Sequence, residues 1–182
     1  MRVTFVRHTR TVAPEGVCYG RTDLALSDEG LRHAGHIVEH WDVPPVDYVL
    51  SSPAQRCRHL AEALGVRLSV PIQYDERLWE LDFGDWEMRS WQDIPPQELN
   101  PWMENYVEAV AGGAESFLQL VARSRATLAE HRDRGAAHIA CVAHSGVIRG
   151  LLAIYEGLPL NRAFRRACDY GSIHSMIVPS GL

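Results

Sequence analysis

The sequence predicts an α/β fold, a three-layer α/β/α sandwich on a mostly parallel sheet. The first observation is that short segments rich in β-forming apolar residues alternate with longer segments whose apolar residues recur at helical spacing. The second is the size and composition of the chain. It has 182 residues, of which 46% are hydrophobic and 23% are charged, and these values are typical of a domain with one globular core. We therefore expect a single domain over residues 1–182.

The first half of the chain contains two predicted strand–helix units. Residues 3–6 predict a buried strand at the amino terminus, and residues 46–50 predict a second strand. Ser27 followed by two acidic residues predicts a helix start, because a hydroxyl and early carboxylates satisfy the free amides of a first turn. Pro53 predicts the first turn of the second helix. The apolar stripes of the two helices are Leu31, Ala34, Val38 and Trp41, then Cys57, Leu60, Ala61 and Leu64.

The second half adds a third unit and a closing strand. A long helix is predicted over about residues 115–132, followed by a strand at residues 138–143. The next helix follows His144, and residues 173–178 predict the last strand. Alternation of this kind is typical of a parallel sheet with helices on both faces.

Residues 75–113 break the alternation. Acidic residues crowd there with Trp79, Trp86 and Trp91, and three prolines interrupt the chain. We expect an insertion that forms a lid over one edge of the sheet, with the tryptophans packed inside it. Exposed tryptophans in this lid would be compatible with a homodimer.

Composition excludes several classes of protein. The formal net charge is −5, so no net positive field favours nucleic acid or an anionic membrane as a partner. No apolar run approaches the roughly 18 residues of a membrane span. The four cysteines are scattered without a Cys-x-x-Cys pair, which favours a reduced, cytoplasmic protein whose thiols pack in the core rather than bind zinc.

Cationic and imidazole groups follow three of the predicted strands. Arg7 and His8 end the first strand, Arg56 lies one turn into the helix after the second, and His144 ends the strand at residues 138–143. Loops after the carboxyl ends of parallel strands share one edge of a sheet. We therefore expect these four side chains to converge on a doubly charged tetrahedral anion, with phosphate as the obvious candidate.

Another group of histidines has an ordinary interpretation. His33, His36 and His40 fall on one face of the first predicted helix, a spacing that can bind a metal. We expect a solvated helix face there, and no metal site.

The chain resembles the histidine phosphatase superfamily, also called phosphoglycerate mutase-like. The matching segments occur in the family's order and are VRHT at 6–9, YGRTD at 19–23, SSPAQR at 51–56, ELDFGDWE at 80–87, GGAES at 112–116 and VAHSG at 142–146. The run from Phe83 to Arg89 is most similar to the α-ribazole phosphatases of the cobalamin pathway. Two positions depart from the family pattern: Thr9 stands where glycine is common, and Ala114 interrupts a Gly-Gly-Glu-Ser run.

The resemblance implies a role for each candidate residue. His8 would be the nucleophile that becomes transiently phosphorylated, and Glu80 the general acid and base. The non-bridging oxygens would be held by Arg7, Arg56 and His144. Arg21 and Ser145 would complete the substrate-binding set, and no metal or other cofactor is needed.

The expected function is hydrolysis of a small phosphate monoester, with α-ribazole 5′-phosphate in cobalamin nucleotide-loop assembly as the favoured substrate. Three alternatives remain open: a phosphatase of broader sugar-phosphate range, a phosphoglycerate mutase, and a phosphate-binding module without turnover. The mutases typically carry a longer lid, and this short chain favours hydrolysis.

Overall fold

Four parallel strands and one antiparallel strand form the central sheet. The computed structural model describes residues 1–180. The strands in that range are β1 (Arg2–Arg7), β2 (Tyr48–Ser51), β3 (Ile72–Tyr74), β4 (Val110–Ala111), β5 (Glu115–Ser116), β6 (His138–Ala143) and β7 (Ile173–Ile177). The sheet order is β3-β2-β6-β1-β7, with β7 antiparallel to β1, while β4 and β5 form a separate two-stranded ribbon. The sheet is therefore mostly parallel, as predicted.

Helices cover both faces of this sheet. They are α1 (Asp28–Glu39), α2 (Gln55–Leu68), α3 (Pro96–Glu104), α4 (Phe117–Asp133) and α5 (Ser145–Tyr155). Short 3-10 turns occupy Glu76–Leu78, Gly84–Trp86, Trp91–Asp93 and Leu160–Arg165. On one face α1 packs against α2, which contacts β2 and β6, whereas α4 and α5 pack together on the other.

The central strand β6 shows how the layers form. All six of its residues are buried. Ile139 and Cys141 belong to the hydrophobic cluster that contains α4 and α5, whereas Ala140 and Val142 belong to the cluster that contains α1 and α2. Successive side chains of a strand point to opposite faces, so an unbroken apolar run suits a strand covered on both sides. The predicted three-layer arrangement is confirmed.

Two predicted helix starts differ in outcome. Ser27 caps α1 as predicted, since its hydroxyl accepts a hydrogen bond from a first-turn amide at 3.1 Å. The expectation that Pro53 lies in the first turn of α2 is wrong. The chain first makes a turn in which the Ala54 amide donates to Ser52 Oγ, and the helix begins at Gln55.

The long helix α4 begins two residues later than predicted. Glu115 and Ser116, expected in its first turn, instead pair with β4 as strand β5. The Ser116 hydroxyl then accepts from the Gln119 amide at 3.3 Å, and the Ser116 amide donates to the Gln119 side chain at 2.9 Å. This capping box makes Phe117 the first helical residue.

Aromatic rings hold the segment over residues 75–113 together. Trp86 and Trp102 meet edge-on with ring centroids 5.7 Å apart, and Trp91 stacks on Trp102 at 6.1 Å. Within residues 1–180 every tryptophan of this segment is at least half-buried. Trp86 and Trp91 are therefore packed inside the segment as expected, whereas Trp79 lies against the cluster that contains α1 and α2 and stacks parallel to the His144 ring at 6.4 Å. Exposed tryptophans, which would be compatible with a homodimer, are missing from that range. The homodimer stays a prediction.

Two global properties accompany this fold. Within residues 1–180 no helix combines the length and the apolar character needed to cross a bilayer. The four cysteines are buried and free, which agrees with their predicted role in packing.

The register of the central strands determines where their loops lie. Arg7 of β1 pairs with Ala143 of β6, and Ser51 of β2 pairs with Val142. β1 and β6 therefore end level, and β2 ends one residue earlier. Beyond the end of β1, the His8 amide still donates to the Ala143 carbonyl at 3.1 Å. The residues that follow each strand therefore share one edge of the sheet.

A glycine pair supports the segment over residues 75–113 and gives a test of the fold. Gly112 and Gly113 both have positive φ angles, of +52° and +79°. A Cβ at Gly112 would lie 1.8 Å from the Phe83 carbonyl oxygen, whereas at Gly113 it would meet nothing within 4 Å. We expect Gly113→Ala to lower the free energy of unfolding by about 1–2 kcal/mol, the strain of the left-handed region. Gly112→Ala should lower it considerably further, because a backbone oxygen cannot rotate away.

Urea denaturation of the two variants beside the wild type measures this difference. Equal losses from the two substitutions would show that the close approach of Gly112 to Phe83 is wrong.

Candidate active site

Two imidazoles from distant parts of the chain meet at the carboxyl edge of the sheet. His8 follows β1 and His144 follows β6, and their ring centroids lie 5.2 Å apart in an edge-on arrangement. His8 is 2% exposed and His144 is 0% exposed. The predicted convergence of these two residues is therefore present in the fold.

The backbone fixes the tautomer of His8. Its Nδ1 lies 2.8 Å from the Thr9 carbonyl oxygen, and a carbonyl can only accept, so Nδ1 carries the hydrogen. In the neutral ring Nε2 then bears a free lone pair. Thr9 is itself buried and donates its hydroxyl to the Gly30 carbonyl at 2.8 Å, so the residue that replaces the common glycine ties this turn to α1.

Burial keeps the His8 ring neutral. Desolvation lowers its pKa well below the usual value, and the positive charges of Arg56 and Arg7 lower it further. The Nε2 lone pair is therefore available at neutral pH, which is the state that a nucleophilic imidazole requires.

Arg56 is a fully buried cation in the wall of the site. Its exposure is 0%, and its guanidinium is bonded on three sides. The Nη2 group donates to the Gly20 carbonyl at 2.7 Å and Nη1 donates to the Thr22 carbonyl at 2.8 Å. The third donor, Nε, reaches His144 Nδ1 at 3.3 Å. The loop after β1 is thus shaped around this arginine.

His144 is held between two partners. It accepts from Arg56 through Nδ1, so Nε2 carries the hydrogen and donates to Ser52 Oγ at 2.8 Å. Burial lowers its pKa well below the usual value, assisted by Arg56 and His8. A charged oxygen is a stronger acceptor for a guanidinium than a neutral imidazole, so the 3.3 Å bond is the natural one for an anion to replace.

Arg7 completes the positive side of the site. Its Nη1 donates to the Cys168 carbonyl at 2.6 Å, and its Cζ lies 4.0 Å from the centre of the Tyr170 ring. Its Nε is buried and has no hydrogen-bond acceptor among residues 1–180. The geometry leaves this donor ready for an oxygen of a bound anion.

Glu80 lies beside His144 at the start of α5. Its carboxylate accepts from the Gly146 amide at 3.0 Å and from its own neighbour, the Leu81 amide, at 3.0 Å. Arg123 holds the adjoining backbone by donating to the Trp79 carbonyl at 2.7 Å and to the Glu80 carbonyl at 2.9 Å. The Glu80 carboxylate, which the sequence analysis proposed as general acid and base, is therefore anchored at the Gly146 amide, two residues beyond His144 in the chain.

Arg21 and Ser145 have other partners in this structure. Arg21 forms ion pairs with Asp82 at 3.6 Å and with Glu115 at 3.7 Å. Ser145 is the first residue of α5, and its hydroxyl accepts a hydrogen bond from Arg149 in the next turn. Their predicted place in substrate binding stays a prediction.

Sequence reasoning missed several residues at the site, among them Ser52 against His144 and Trp79, which stacks on the His144 ring. Tyr19 and Tyr170 lie against Arg56 and Arg7, and Arg123 braces the backbone around Glu80. Tyr19 falls inside a segment that resembles the family, but nothing about its type indicates a contact with an arginine. No motif or periodicity in the sequence around Tyr170 or Arg123 indicates that these residues lie at the site.

The histidine face of α1 carries a carboxylate that the sequence interpretation did not include. Potential metal-ligating atoms of His36, Glu39 and His40 lie within 4.8 Å of one another, and all three residues are exposed. The face is solvated as expected, and this group is remote in sequence from the strand-end loops.

The two neutral histidines predict a pH-dependent stability. In the folded protein the pKa values of His8 and His144 are lowered, whereas in the unfolded chain they return to about 6.5. Below that pH the two histidines bind protons in the unfolded state but not in the folded state, so acid favours unfolding. Each residue should therefore lower the free energy of unfolding by about 1.4 kcal/mol per pH unit below pH 6.5, with the full stability retained above it.

Urea denaturation between pH 8 and pH 5 measures this slope. His8→Asn should reduce the slope by about 1.4 kcal/mol per pH unit, and the exposed control His36→Asn should leave it unchanged. An unaltered slope in His8→Asn would mean that His8 titrates normally in the folded protein.

Comparisons with known proteins agree with this geometry. The family model described as histidine phosphatase superfamily, branch 1, matches residues 3–181. The adenosylcobalamin/α-ribazole phosphatase of Escherichia coli (strain K12) is 29% identical over 178 residues, covering 94% of this chain and 87% of the relative. The glucosyl-3-phosphoglycerate phosphatase of Mycolicibacterium vanbaalenii is 30% identical over 172 residues, covering 88% and 76%.

A solved structure matches the fold as well. The α-ribazole phosphatase from Shigella flexneri superposes with a TM-score of 0.87 at 26% identity, over 98% of this chain and 91% of that chain. The family match spans nearly the whole chain, and the fold matches a phosphatase of the same kind. The chain belongs to the histidine phosphatase superfamily, branch 1.

Proposed function

We propose that this phosphatase hydrolyses small phosphate monoesters through a phosphohistidine formed on His8. The observation that carries the proposal is the state of the His8 ring: it is neutral, its Nδ1–H is bonded to the Thr9 carbonyl, and its Nε2 lone pair is free beside two guanidinium groups. A nucleophile flanked by fixed positive charge suits phosphoryl transfer, in which catalysis is mostly positioning and electrostatic stabilisation.

In the first step His8 Nε2 attacks phosphorus in line with the ester oxygen. The P–N bond forms as the P–O bond to the leaving group breaks, and the electron pair of that bond goes to the departing oxygen. Arg7 Nε and Arg56 Nε hold non-bridging oxygens, and His144 Nε2–H joins them when it exchanges its bond to Ser52 for the anion. The charge of these oxygens is stabilised in a site with almost no solvent.

Glu80 handles the proton in both steps. As the carboxylic acid it protonates the departing alkoxide, and as the carboxylate it accepts a proton from the water that then attacks phosphorus. The P–N bond breaks, inorganic phosphate leaves, and His8 returns to its starting state. Support for this role comes from the anchoring of Glu80 by the Gly146 amide, close to His144. All positive charge is supplied by side chains, so activity should persist in the presence of a chelator.

The favoured substrate is α-ribazole 5′-phosphate, which would place the enzyme in cobalamin nucleotide-loop assembly. This choice is supported by the similarity to the Escherichia coli phosphatase over 94% of the chain. A broader sugar-phosphate range is the second candidate, because the glucosyl-3-phosphoglycerate phosphatase is equally similar.

Radiolabel from a phosphorylated substrate should be trapped on His8. We expect wild-type protein quenched in base after mixing with labelled α-ribazole 5′-phosphate to carry acid-labile label. His8→Asn should lose both label and turnover, and the exposed control His36→Asn should keep both. Glu80→Gln should slow hydrolysis of this alkyl ester about 100-fold. It should slow the phosphorylation of His8 by p-nitrophenyl phosphate, measured as the burst of nitrophenol, much less, because that leaving group needs no proton.

Two labelling results would contradict the proposed chemistry. Label that persists in His8→Asn would exclude His8 as the nucleophile, and phosphate binding without label or turnover would indicate a silent binding module.

A phosphate-release screen that includes 3-phosphoglycerate decides the substrate. A highest kcat/KM for α-ribazole 5′-phosphate supports the first choice, similar values across many sugar phosphates support the second, and isomerisation of 3-phosphoglycerate would indicate a mutase.

A further inference from the structure

Two tyrosines from separate loops meet beside the arginines that flank His8, and one of them, Tyr170, also contacts the His8 ring. Tyr19 lies in the loop between β1 and α1, and Tyr170 lies in the turn before β7. Their hydroxyl oxygens are 3.1 Å apart, a hydrogen bond between residues 151 positions apart in the chain. Each ring also lies against a cation, Tyr170 at 4.0 Å from Arg7 Cζ and Tyr19 at 5.3 Å from Arg56 Cζ. The pair thus spans the site from one arginine to the other.

This pair shields the group that must react. The Tyr170 ring centroid is 5.6 Å from that of His8, and His8 is only 2% exposed. A phosphorus atom has to come within about 3–3.5 Å of Nε2 before attack. An ester cannot reach a ring that is so fully covered unless part of the cover moves away.

The Tyr19 hydroxyl keeps its proton at neutral pH. Burial and the hydrogen bond to Tyr170 raise the pKa of Tyr19 above its ordinary value, so its hydroxyl stays protonated and can take part in the bond. The hydrogen bond between the two tyrosines can therefore form at neutral pH.

Both halves of the cover are anchored beside the tyrosines. On the Tyr19 side, Arg56 donates to the flanking Gly20 carbonyl and Glu87 accepts from the Arg21 amide at 2.7 Å. On the other side, the amide of Gly171, next to Tyr170, donates to the Arg7 carbonyl at 3.1 Å. The hydrogen bond between the two hydroxyls is therefore a contact that must break for either side chain to move away.

A dianionic phosphoryl group has the chemistry to open this cover. Arg7 Nε lies buried without an acceptor among residues 1–180, and an unpaired buried donor raises the free energy of the closed state. A phosphoryl oxygen supplies the missing acceptor and a charge-assisted bond, which a neutral alcohol cannot provide.

We infer that the Tyr19–Tyr170 pair is a cover that phosphoryl groups displace on entering the site. The inference rests on the proposed function for the identity of the ligand. The cover adds an opening step to binding, so the apparent affinity for phosphate is the intrinsic affinity reduced by the fraction of open protein.

Inorganic phosphate binding to hydroxyl-deleted variants tests the cover. Tyr19→Phe and Tyr170→Phe keep the rings and remove one partner of the bond, so each should bind phosphate about 2- to 10-fold more tightly, the range of one net hydrogen bond. The double variant should bind no more tightly than either single variant, because the first deletion has already broken the bond. Tyr106→Phe, which removes a hydroxyl bonded to the Leu160 carbonyl, is the matched control and should not change affinity.

Titration calorimetry with inorganic phosphate gives these values without turnover. Unchanged or weaker binding in either single variant, additive gains in the double variant, or no phosphate binding by any of them would overturn the cover. Failure of the proposed function looks different: phosphate binding would follow the predicted pattern, but no phosphohistidine would form. Label on His8 in the wild type together with unchanged affinities in the variants would reject the cover alone.

Discussion

The pairing register between β1 and β6 is the constraint on which the site depends. Because Arg7 lies opposite Ala143, the two strands end level and the next residue of each, His8 and His144, must lie side by side. A shift by one residue would turn every side chain of β1 to the opposite face of the sheet. Successive side chains of these strands point into opposite hydrophobic clusters, which fixes the register. The same register therefore also aligns the two imidazoles.

Placing cations at this edge requires the rest of the molecule to satisfy them. Arg56 is fully buried, and the loop after β1 folds around it to supply the Gly20 and Thr22 carbonyls. That loop is held in turn by Glu87, whose carboxylate accepts from the Arg21 and Thr22 amides at 2.7 Å each. The acidic segment over residues 75–113 thus helps to hold the loop that surrounds Arg56. Losing one of the carbonyl acceptors would leave part of a buried cation without a hydrogen-bond partner.

Local patterns in the sequence predicted β1, β2, β6 and β7, the convergence of Arg7, Arg56 and the two histidines, and the Ser27 cap, because each depends on periodicity or on a few neighbouring residues. The short strands β3, β4 and β5 and the helix α3 were not predicted, because two or three residues, or a helix interrupted by proline, give no clear periodicity. The start of α4 was wrong by two residues, since the Ser116 capping box competes with helix formation at Glu115. The contact between Tyr19 and Tyr170 could not be predicted, because it joins two loops 151 residues apart and neither loop has a repeating pattern. The ion pairs of Arg21 depend in the same way on how the acidic segment packs.

We propose that Nε2 of His8 is the atom that bonds to phosphorus. A crystal structure of the protein soaked with orthovanadate tests it most directly, because vanadate adopts the five-coordinate geometry of phosphoryl transfer. We expect vanadium bonded to His8 Nε2, with equatorial oxygens on Arg7 Nε, Arg56 and His144 and with the two tyrosine hydroxyls parted. Vanadium bonded through another residue, or held elsewhere while His8 keeps only protein contacts, would contradict it.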